Sequence, residues 1–123
     1  MVSDIPIYSQ LCQQIIKGIA KKEFNEGDEL PSVRNLAKDL GVNLHTINKA
    51  YNILKQDGFL VVNRRKGVVV NASNGYEANE DYKSHLKESM ATLIIEATAR
   101  GLSYEDLNQT LIEILEELKG ERS

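Results

Sequence analysis

Apolar residues in the first part of the chain recur at the spacing of amphipathic helices. Leu11, Ile15 and Ile19 lie four residues apart, and Pro6 precedes them at a position that favours a helix start. This pattern predicts a helix over residues 8–22, with the three apolar side chains facing a core.

A second apolar pattern, over residues 33–52, has the spacing of a helix-turn-helix. Ala37, Gly41 and Ile47 occupy the fifth, ninth and fifteenth positions of this stretch. A small residue lets two helices approach where they cross, glycine adopts the positive φ of the turn, and the isoleucine packs the second helix on the first. The other residues expected on the inner face are Leu36, Leu40, Val42, Ala50 and Leu54.

The polar residues of the same stretch are expected to face outward. Ser32 is placed to cap the first motif helix, which puts Arg34 in its first turn. Free N–H groups at a helix start, next to a guanidinium, suit a phosphate, and the guanidinium can instead reach a guanine. The outward residues of the second helix are His45, Thr46, Asn48, Lys49 and Asn52.

After Gly58 the apolar pattern changes from helical to extended. Residues 59–63 and 68–71 are rich in valine and flank Arg64-Arg65-Lys66-Gly67, which predicts a β-hairpin with a basic tip. Adjacent cations repel one another, but they suit contact with a phosphate backbone. A helix-turn-helix followed by a basic hairpin predicts a winged helix, whereas the helical pattern alone would also fit a structural bundle.

Five short stretches carry a family resemblance. The most specific is Leu-Pro-Ser-x-Arg-x-Leu-Ala, within residues 27–37. The others are Pro6-Ile7-Tyr8 followed by Gln10, Val42-Asn43 through Thr46, Lys49-Ala50-Tyr51, and Lys66-Gly67. Together they span residues 5–71, and over that length the chain resembles the GntR family of bacterial transcription regulators, in particular its short YtrA-like branch.

By this resemblance, the starts of both motif helices and the wing are expected to contact operator DNA. The chain differs from the family pattern in two places: many members have arginine where this chain has Leu44, and the wing, usually Gly-Lys-Gly, reads Arg65-Lys66-Gly67. The second difference implies a stiffer and more basic wing. The candidate DNA-binding residues are Ser32, Arg34, Asn43, His45, Thr46, Asn48, Lys49, Arg64, Arg65, Lys66 and Gly67.

The second half of the sequence predicts two helices after a turn-rich linker at residues 72–79. The first helix covers residues 80–100, with Asn79 as its cap and Gly101 at its end. The second starts at Ser103, which can form a capping box with Asp106, and ends near residue 119. Their apolar stripes contain the candidate dimerisation residues Tyr82, Leu86, Met90, Leu93, Ile94, Leu107, Leu111, Ile114, Leu115 and Leu118.

These stripes predict a helical hairpin with an apolar face and no third helix of its own to cover it. We therefore expect two domains, a winged helix-turn-helix DNA-binding domain at residues 1–75 and a dimerisation domain at residues 76–123. The resemblance implies a two-fold dimer, the geometry that helix-turn-helix proteins use on pseudo-palindromic DNA. A ligand-binding domain is the rival interpretation, but this length hardly encloses a pocket of roughly 300 Å³ unless a dimer builds it jointly. The sequence does not identify a small-molecule effector.

Charge is divided unevenly between the two predicted domains. Residues 1–75 carry a net charge of +3 and residues 76–123 a net charge of −6, within −3 for the whole chain. The basic half can lie against phosphates, and the acidic half is expected to face away from them.

Composition excludes several other classes of protein. Cys12 is the one cysteine, so no internal disulfide can form, and we expect a buried structural thiol. No apolar run approaches the roughly 20 residues of a membrane span, and the amino terminus lacks the layout of a signal peptide, which favours a cytoplasmic protein. The histidines, His45 and His85, belong to no metal-ligand or catalytic cluster, so we predict no cofactor, metal or enzymatic activity.

The sequence therefore predicts an α+β, mainly α fold with an N-terminal winged helix-turn-helix and a C-terminal two-helix hairpin. The predicted function is sequence-specific transcriptional regulation, by a repressor that binds a pseudo-palindromic operator as a homodimer. The alternative is a winged-helix module that binds protein or RNA without operator specificity. An enzyme is the least favoured class.

Overall fold

The computed structural model describes residues 5–120, which form five α-helices and a two-stranded sheet. In chain order the elements are α1 (Ile7–Ala20), α2 (Val33–Leu40), α3 (Leu44–Gln56), β1 (Leu60–Asn63), β2 (Gly67–Val70), a 3₁₀ turn (Ser73–Gly75), α4 (Glu80–Ala99) and α5 (Tyr104–Gly120). The predicted mainly helical α+β class is confirmed. Residues 1–4 and 121–123 lie outside the described range. They include the outer ends of both predicted domains and part of the amino terminus, where we expect no signal peptide.

Helix α1 ends two residues earlier than predicted. Lys22 has a φ of 65°, a left-handed conformation that an α-helix cannot contain. The N–H groups of Glu23 and Phe24 instead donate to the carbonyl oxygen of Gly18, at 2.8 and 3.1 Å. This turn leads the chain away from α1 towards the sheet.

The core of the N-terminal part is built around α3. Ile47, Tyr51 and Leu54 of this helix are almost completely buried. Burying one aliphatic side chain contributes roughly 1.5–3 kcal/mol, so these positions contribute much of the stability of the fold. The other buried side chains of this core come from the neighbouring helices and strands and from α3 itself: Cys12, Ile15, Ile19, Ala37, Ala50, Leu60 and Val70.

The turn between α2 and α3 follows the predicted helix-turn-helix pattern except at Leu40. Ala37 is buried where the helices cross, and Gly41 has the expected positive φ, 68°. Leu40 was expected on the inner face, but its side chain is 52 % exposed. It is the last residue of α2, and the chain turns at Gly41 before any core side chain covers it.

The predicted basic hairpin forms, and a further segment that the apolar pattern does not predict pairs with it. Strands β1 and β2 are antiparallel, with Asn63 opposite Gly67. The loop before α2 runs along the other edge of β2, where the Leu30 N–H donates to the Val68 carbonyl at 2.9 Å and the Val70 N–H donates to the Asp28 carbonyl at 3.0 Å. The wing is thereby fixed to the segment that leads into α2.

The chain beyond β2 stays packed on the winged helix as far as Tyr76. The side-chain amide of Asn71 donates to the Gly58 carbonyl at 3.0 Å, and the rings of Phe59 and Tyr76 lie 4.8 Å apart between centroids. The contacts divide the chain into two compact units after Tyr76, one residue beyond the boundary that the sequence predicts. Much of the predicted linker is thus ordered on the N-terminal unit.

Helices α4 and α5 begin and end within one residue of the predicted bounds. Asn79 accepts the N–H of Tyr82 through its side-chain oxygen at 2.8 Å. Ser103 and Asp106 exchange two hydrogen bonds, at 2.9 and 3.1 Å, which form the predicted capping box. Gly101, with a φ of 97°, makes the turn between the helices.

The predicted C-terminal two-helix hairpin is confirmed, with α4 and α5 joined by a short turn. Beyond the turn α4 and α5 hardly contact each other, and their apolar side chains stay largely in contact with solvent. Leu93, Ile94 and Ile95 are consecutive on α4, so they spread over more than half of its circumference and one neighbouring helix cannot cover them. On α5, Leu107 and Leu118 are half-buried, whereas Leu111, Ile114 and Leu115, also expected to face inward, are exposed in the single chain.

Candidate nucleic-acid interface

The start of α2 has the predicted cap and an exposed arginine. The hydroxyl oxygen of Ser32 accepts the Asn35 N–H at 3.1 Å, which satisfies one of the amides that a helix start leaves unpaired. Arg34 is exposed in the first turn, and no carboxylate of residues 5–120 forms an ion pair with it. Its guanidinium is therefore available to an anion or to a base edge.

A buried tyrosine ties the loop before α2 to α3. The hydroxyl group of Tyr51 donates to the Pro31 carbonyl at 2.7 Å. Burial raises the pKa of Tyr51 to about 12, so the phenol keeps its proton, and can keep donating, in alkaline solution where an exposed tyrosine would ionise. This bond fixes the start of α2, and with it the backbone of Arg34, relative to α3.

The start of α3 presents polar groups to solvent. Asn43 caps the helix, with its side-chain oxygen accepting the His45 N–H at 2.7 Å. His45 and Asn48 are exposed and Thr46 is half-buried. Because the oxygen of Asn43 is used in the cap, its amide N–H groups are the part that remains available to a ligand.

Lys49 is exposed but already has a partner. Its Nζ lies 4.0 Å from the centroid of the Tyr8 ring, a cation–π contact between α3 and α1. Such a contact contributes about 0.5–1 kcal/mol at an exposed site. The contact restrains Lys49, which is one of the candidate DNA-binding residues.

The wing tip is a compact turn that carries three exposed cations. The side-chain oxygen of Asn63 accepts the backbone N–H groups of Arg65 and Lys66, at 2.9 and 3.0 Å. Gly67 follows with a φ of 82° and closes the loop. Within the described part of the chain, none of the cations Arg64, Arg65 and Lys66 is paired with a carboxylate.

All eleven predicted DNA-binding residues lie in the N-terminal unit, at the starts of α2 and α3 and on the wing. Three residues that organise these sites are not among the predicted site residues, although the first two belong to the stretches that carry the family resemblance: Tyr8, Tyr51 and Asn63. An asparagine just before a basic tip is a signal for a turn, so Asn63 could have been found. The partners of Tyr8 and Tyr51 are distant in sequence, and no spacing indicates them.

Cys12 has the environment of a structural thiol, as predicted. It is buried, and its S–H donates to the Ala50 carbonyl at 3.6 Å. Burial, and secondarily the charge of Asp57, raises the pKa of the Cys12 thiol, which disfavours the reactive thiolate.

The described residues bring together no group of three or more histidine, cysteine, aspartate and glutamate side chains that could hold a metal ion. No helix between residues 5 and 120 has both the length and the apolar composition that crossing a membrane requires.

The C-terminal unit has an apolar cleft where α4 and α5 diverge. The cleft has a volume of about 520 Å³. It is lined mainly by apolar side chains from both helices, among them Met90, Leu93, Ile94, Leu107, Leu111 and Ile114. Six of the ten predicted dimerisation residues therefore line one surface.

Comparison with known proteins gives consistent matches. The family profile described as "Bacterial regulatory proteins, gntR family" matches residues 7–70. The HTH-type transcriptional repressor YtrA of Bacillus subtilis (strain 168) is 34 % identical over 118 residues, covering 96 % of this chain and 91 % of that protein.

Solved structures that resemble this protein also cover nearly the whole chain. YtrA from Sulfolobus acidocaldarius, described as a GntR-family transcription factor, is 39 % identical with a TM-score of 0.52, covering 93 % of this chain and 91 % of that one. A transcriptional antiterminator from Listeria monocytogenes EGD-e is 23 % identical with a TM-score of 0.85, covering 93 % of this chain and 85 % of that one, a likeness of fold alone.

Proposed function

The chain belongs to the GntR family of bacterial transcription regulators and carries its DNA-binding helix-turn-helix, and we propose that it represses transcription as a homodimer bound to a pseudo-palindromic operator. The observation that carries the proposal is the set of exposed polar and cationic side chains on the N-terminal unit. Arg34, the polar start of α3 and the wing cations are exposed without carboxylate partners in the described chain.

In the proposed complex the start of α3 enters the major groove. The first residues of a recognition helix reach base edges in this geometry, and exposed His45 and Asn48 supply the polar groups. Arg34 contacts a guanine or a phosphate from the start of α2. The wing cations contact phosphates, which strengthens binding to every sequence and makes it depend on salt.

The C-terminal unit is proposed to join two copies. Its apolar side chains remain exposed in the single chain, and a surface of this kind marks an interaction site in a soluble protein. Two copies related by a two-fold axis would cover each other's α4 and α5 and present two winged helices to an inverted repeat. Dimerisation through this part of the chain also keeps its net charge of −6 away from the phosphates.

Repression is proposed because the Bacillus subtilis relative YtrA is a transcriptional repressor. An operator that overlaps a promoter gives a direct route, because the bound dimer and the polymerase cannot occupy the same DNA. Transcription in vitro from a promoter that overlaps the bound site should therefore fall when the protein is added.

Selection of DNA by the purified full chain tests the DNA-binding part. From a pool of random duplexes, the protein should enrich inverted repeats, and its affinity for them, measured by fluorescence anisotropy, should fall steeply between about 50 and 200 mM salt. Enrichment without a shared sequence, or tighter binding to RNA hairpins than to duplex DNA, would instead support the alternative module.

A charge-matched pair of variants separates the wing from general electrostatics. Replacing Arg64, Arg65 and Lys66 with glutamine should weaken binding to all duplexes and flatten the salt dependence. The control replaces two cations of α4 and the one that follows the helix, and it should have little effect on the salt slope because these residues lie in the proposed dimerisation unit: Lys83, Lys87 and Arg100. Equal losses in both variants would assign no special role to the wing.

A further inference from the structure

Leu44 is an exposed apolar residue at the start of the recognition helix. It is the first residue of α3, directly after the cap Asn43, and its side chain is 40 % exposed. In the described chain it belongs neither to the buried core nor to the side chains packed against that core. An apolar side chain is thus presented to solvent among polar neighbours, where DNA is proposed to bind.

Local helix structure does not account for an apolar residue at this position. Helix starts are often fixed by an apolar contact between the residue before the cap and the fourth helical residue, which here are Val42 and Ile47. Val42 packs on the core cluster and Ile47 is fully buried within it. The start of α3 is therefore anchored without Leu44.

Thymine carries the apolar group that a leucine can recognise in the major groove. Each base pair presents a distinct pattern there, and thymine alone among the four bases has a C5-methyl group. We propose that Leu44 packs on the methyl group of a thymine in each half-site and selects A·T at that base pair. This inference rests on the proposed operator binding and names one determinant of its specificity.

The neighbour of Leu44 on the same helix face fits such a base pair. Asn48 lies one turn further along α3 and is exposed. An asparagine amide can form two hydrogen bonds with N6 and N7 of adenine. That adenine would be the base paired with the contacted thymine or a base of the adjacent pair. Both side chains on this face therefore favour A·T over G·C.

Removing the methyl group from the DNA and the side chain from the protein tests the contact. The duplex selected by the full chain is prepared with each thymine of one half-site replaced in turn by deoxyuridine, which lacks only the methyl group. At one position the parent should bind about fourfold more weakly, the effect of removing one buried methyl-sized group. Leu44→Ala should bind the unmodified duplex more weakly and lose its sensitivity to deoxyuridine at that position.

Two control variants keep the test specific. Leu44→Met retains an apolar contact, so its binding should stay sensitive to deoxyuridine at that position. Leu40→Ala removes another exposed leucine, at the end of α2, and its binding should stay equally sensitive. Thermal melting establishes that Leu44→Ala is folded. Undiminished sensitivity in Leu44→Ala, or no sensitive thymine in the parent, would overturn the Leu44 contact while leaving operator binding intact. Failure to enrich any duplex would overturn the proposed function and this inference with it.

Discussion

The proposed dimer predicts that Leu93→Ala separates the two copies. Leu93 is 70 % exposed in the single chain, so this share of its side chain is available for burial in a dimer. The substitution removes three carbon atoms. At about 0.8 kcal/mol for each, scaled by the exposed share, the loss is about 1.7 kcal/mol per copy and about 3 kcal/mol per two-fold dimer. This corresponds to a dimer dissociation constant raised more than about a hundredfold.

Sedimentation velocity over a range of micromolar concentrations measures this change. Glu88→Ala is the matched control, because it alters an exposed charged residue on the same helix and should leave the association unchanged. The melting temperature of Leu93→Ala should match that of the parent once both are compared as monomers, since a largely exposed side chain adds little to the stability of the single chain.

Loss of the dimer should also weaken DNA binding. A second half-site contact made within one complex commonly contributes a 10²- to 10⁴-fold gain, so a monomeric variant should bind an inverted repeat little better than a single half-site. Unchanged sedimentation of Leu93→Ala, or a parent that is monomeric at micromolar concentration, would refute dimerisation through this surface.

Three further predictions concern the proposed DNA interface, the packing of the segments on either side of the wing and the start of α5. Arg34→Ala should weaken operator binding by about 1–3 kcal/mol and relax specificity at one base pair per half-site, whereas Lys66→Ala should weaken binding to all DNA sequences similarly. Fluorescence anisotropy at matched salt distinguishes the two effects. An unchanged affinity of Arg34→Ala would show that Arg34 takes no part in base recognition. Gly58→Ala should lower the melting temperature more than Gly27→Ala, because both glycines have positive φ but only at Gly58 would a Cβ collide with a backbone carbonyl; equal shifts would contradict this packing. Hydrogen bonds from Ser103 lower the pKa of Asp106, so the Asp106 carboxylate stabilises the folded state at pH values above its ordinary pKa, and this stabilisation is lost as pH falls through the lowered pKa. Asp106→Asn should therefore lose this part of the acid dependence of stability, measured by circular dichroism. An unchanged pH profile would contradict the role of Asp106 in the cap.

Short-range features of this fold were predictable from the sequence. The caps at Ser32, Asn79 and Ser103 each depend on a side chain and a backbone amide three residues away, so local sequence is sufficient to indicate them. The helix-turn-helix turn depends similarly on one glycine, Gly41. The wing followed from the change of apolar period after Gly58.

Features that depend on distant partners were not predictable. Nothing in the sequence around Leu30 indicates that its N–H pairs with β2, and the contact of Lys49 with Tyr8 joins two helices far apart in the chain. The divergence of α4 and α5 is of the same kind. Helical periodicity identifies an apolar face, but it does not specify which surface covers that face.

The position of the core along the chain has a consequence for biosynthesis. Every residue of the buried core, and every side chain packed against it, lies at or before Tyr76. At 5–20 residues per second the ribosome needs about 2–9 s to add residues 77–120, which contain α4 and α5, whereas small domains fold in microseconds to seconds. The winged helix can therefore fold on the ribosome before α4 and α5 emerge. If the chain dimerises as proposed, copies made on neighbouring ribosomes of one messenger would meet with their winged helices already folded, which favours pairing of newly made copies over aggregation of unfolded ones.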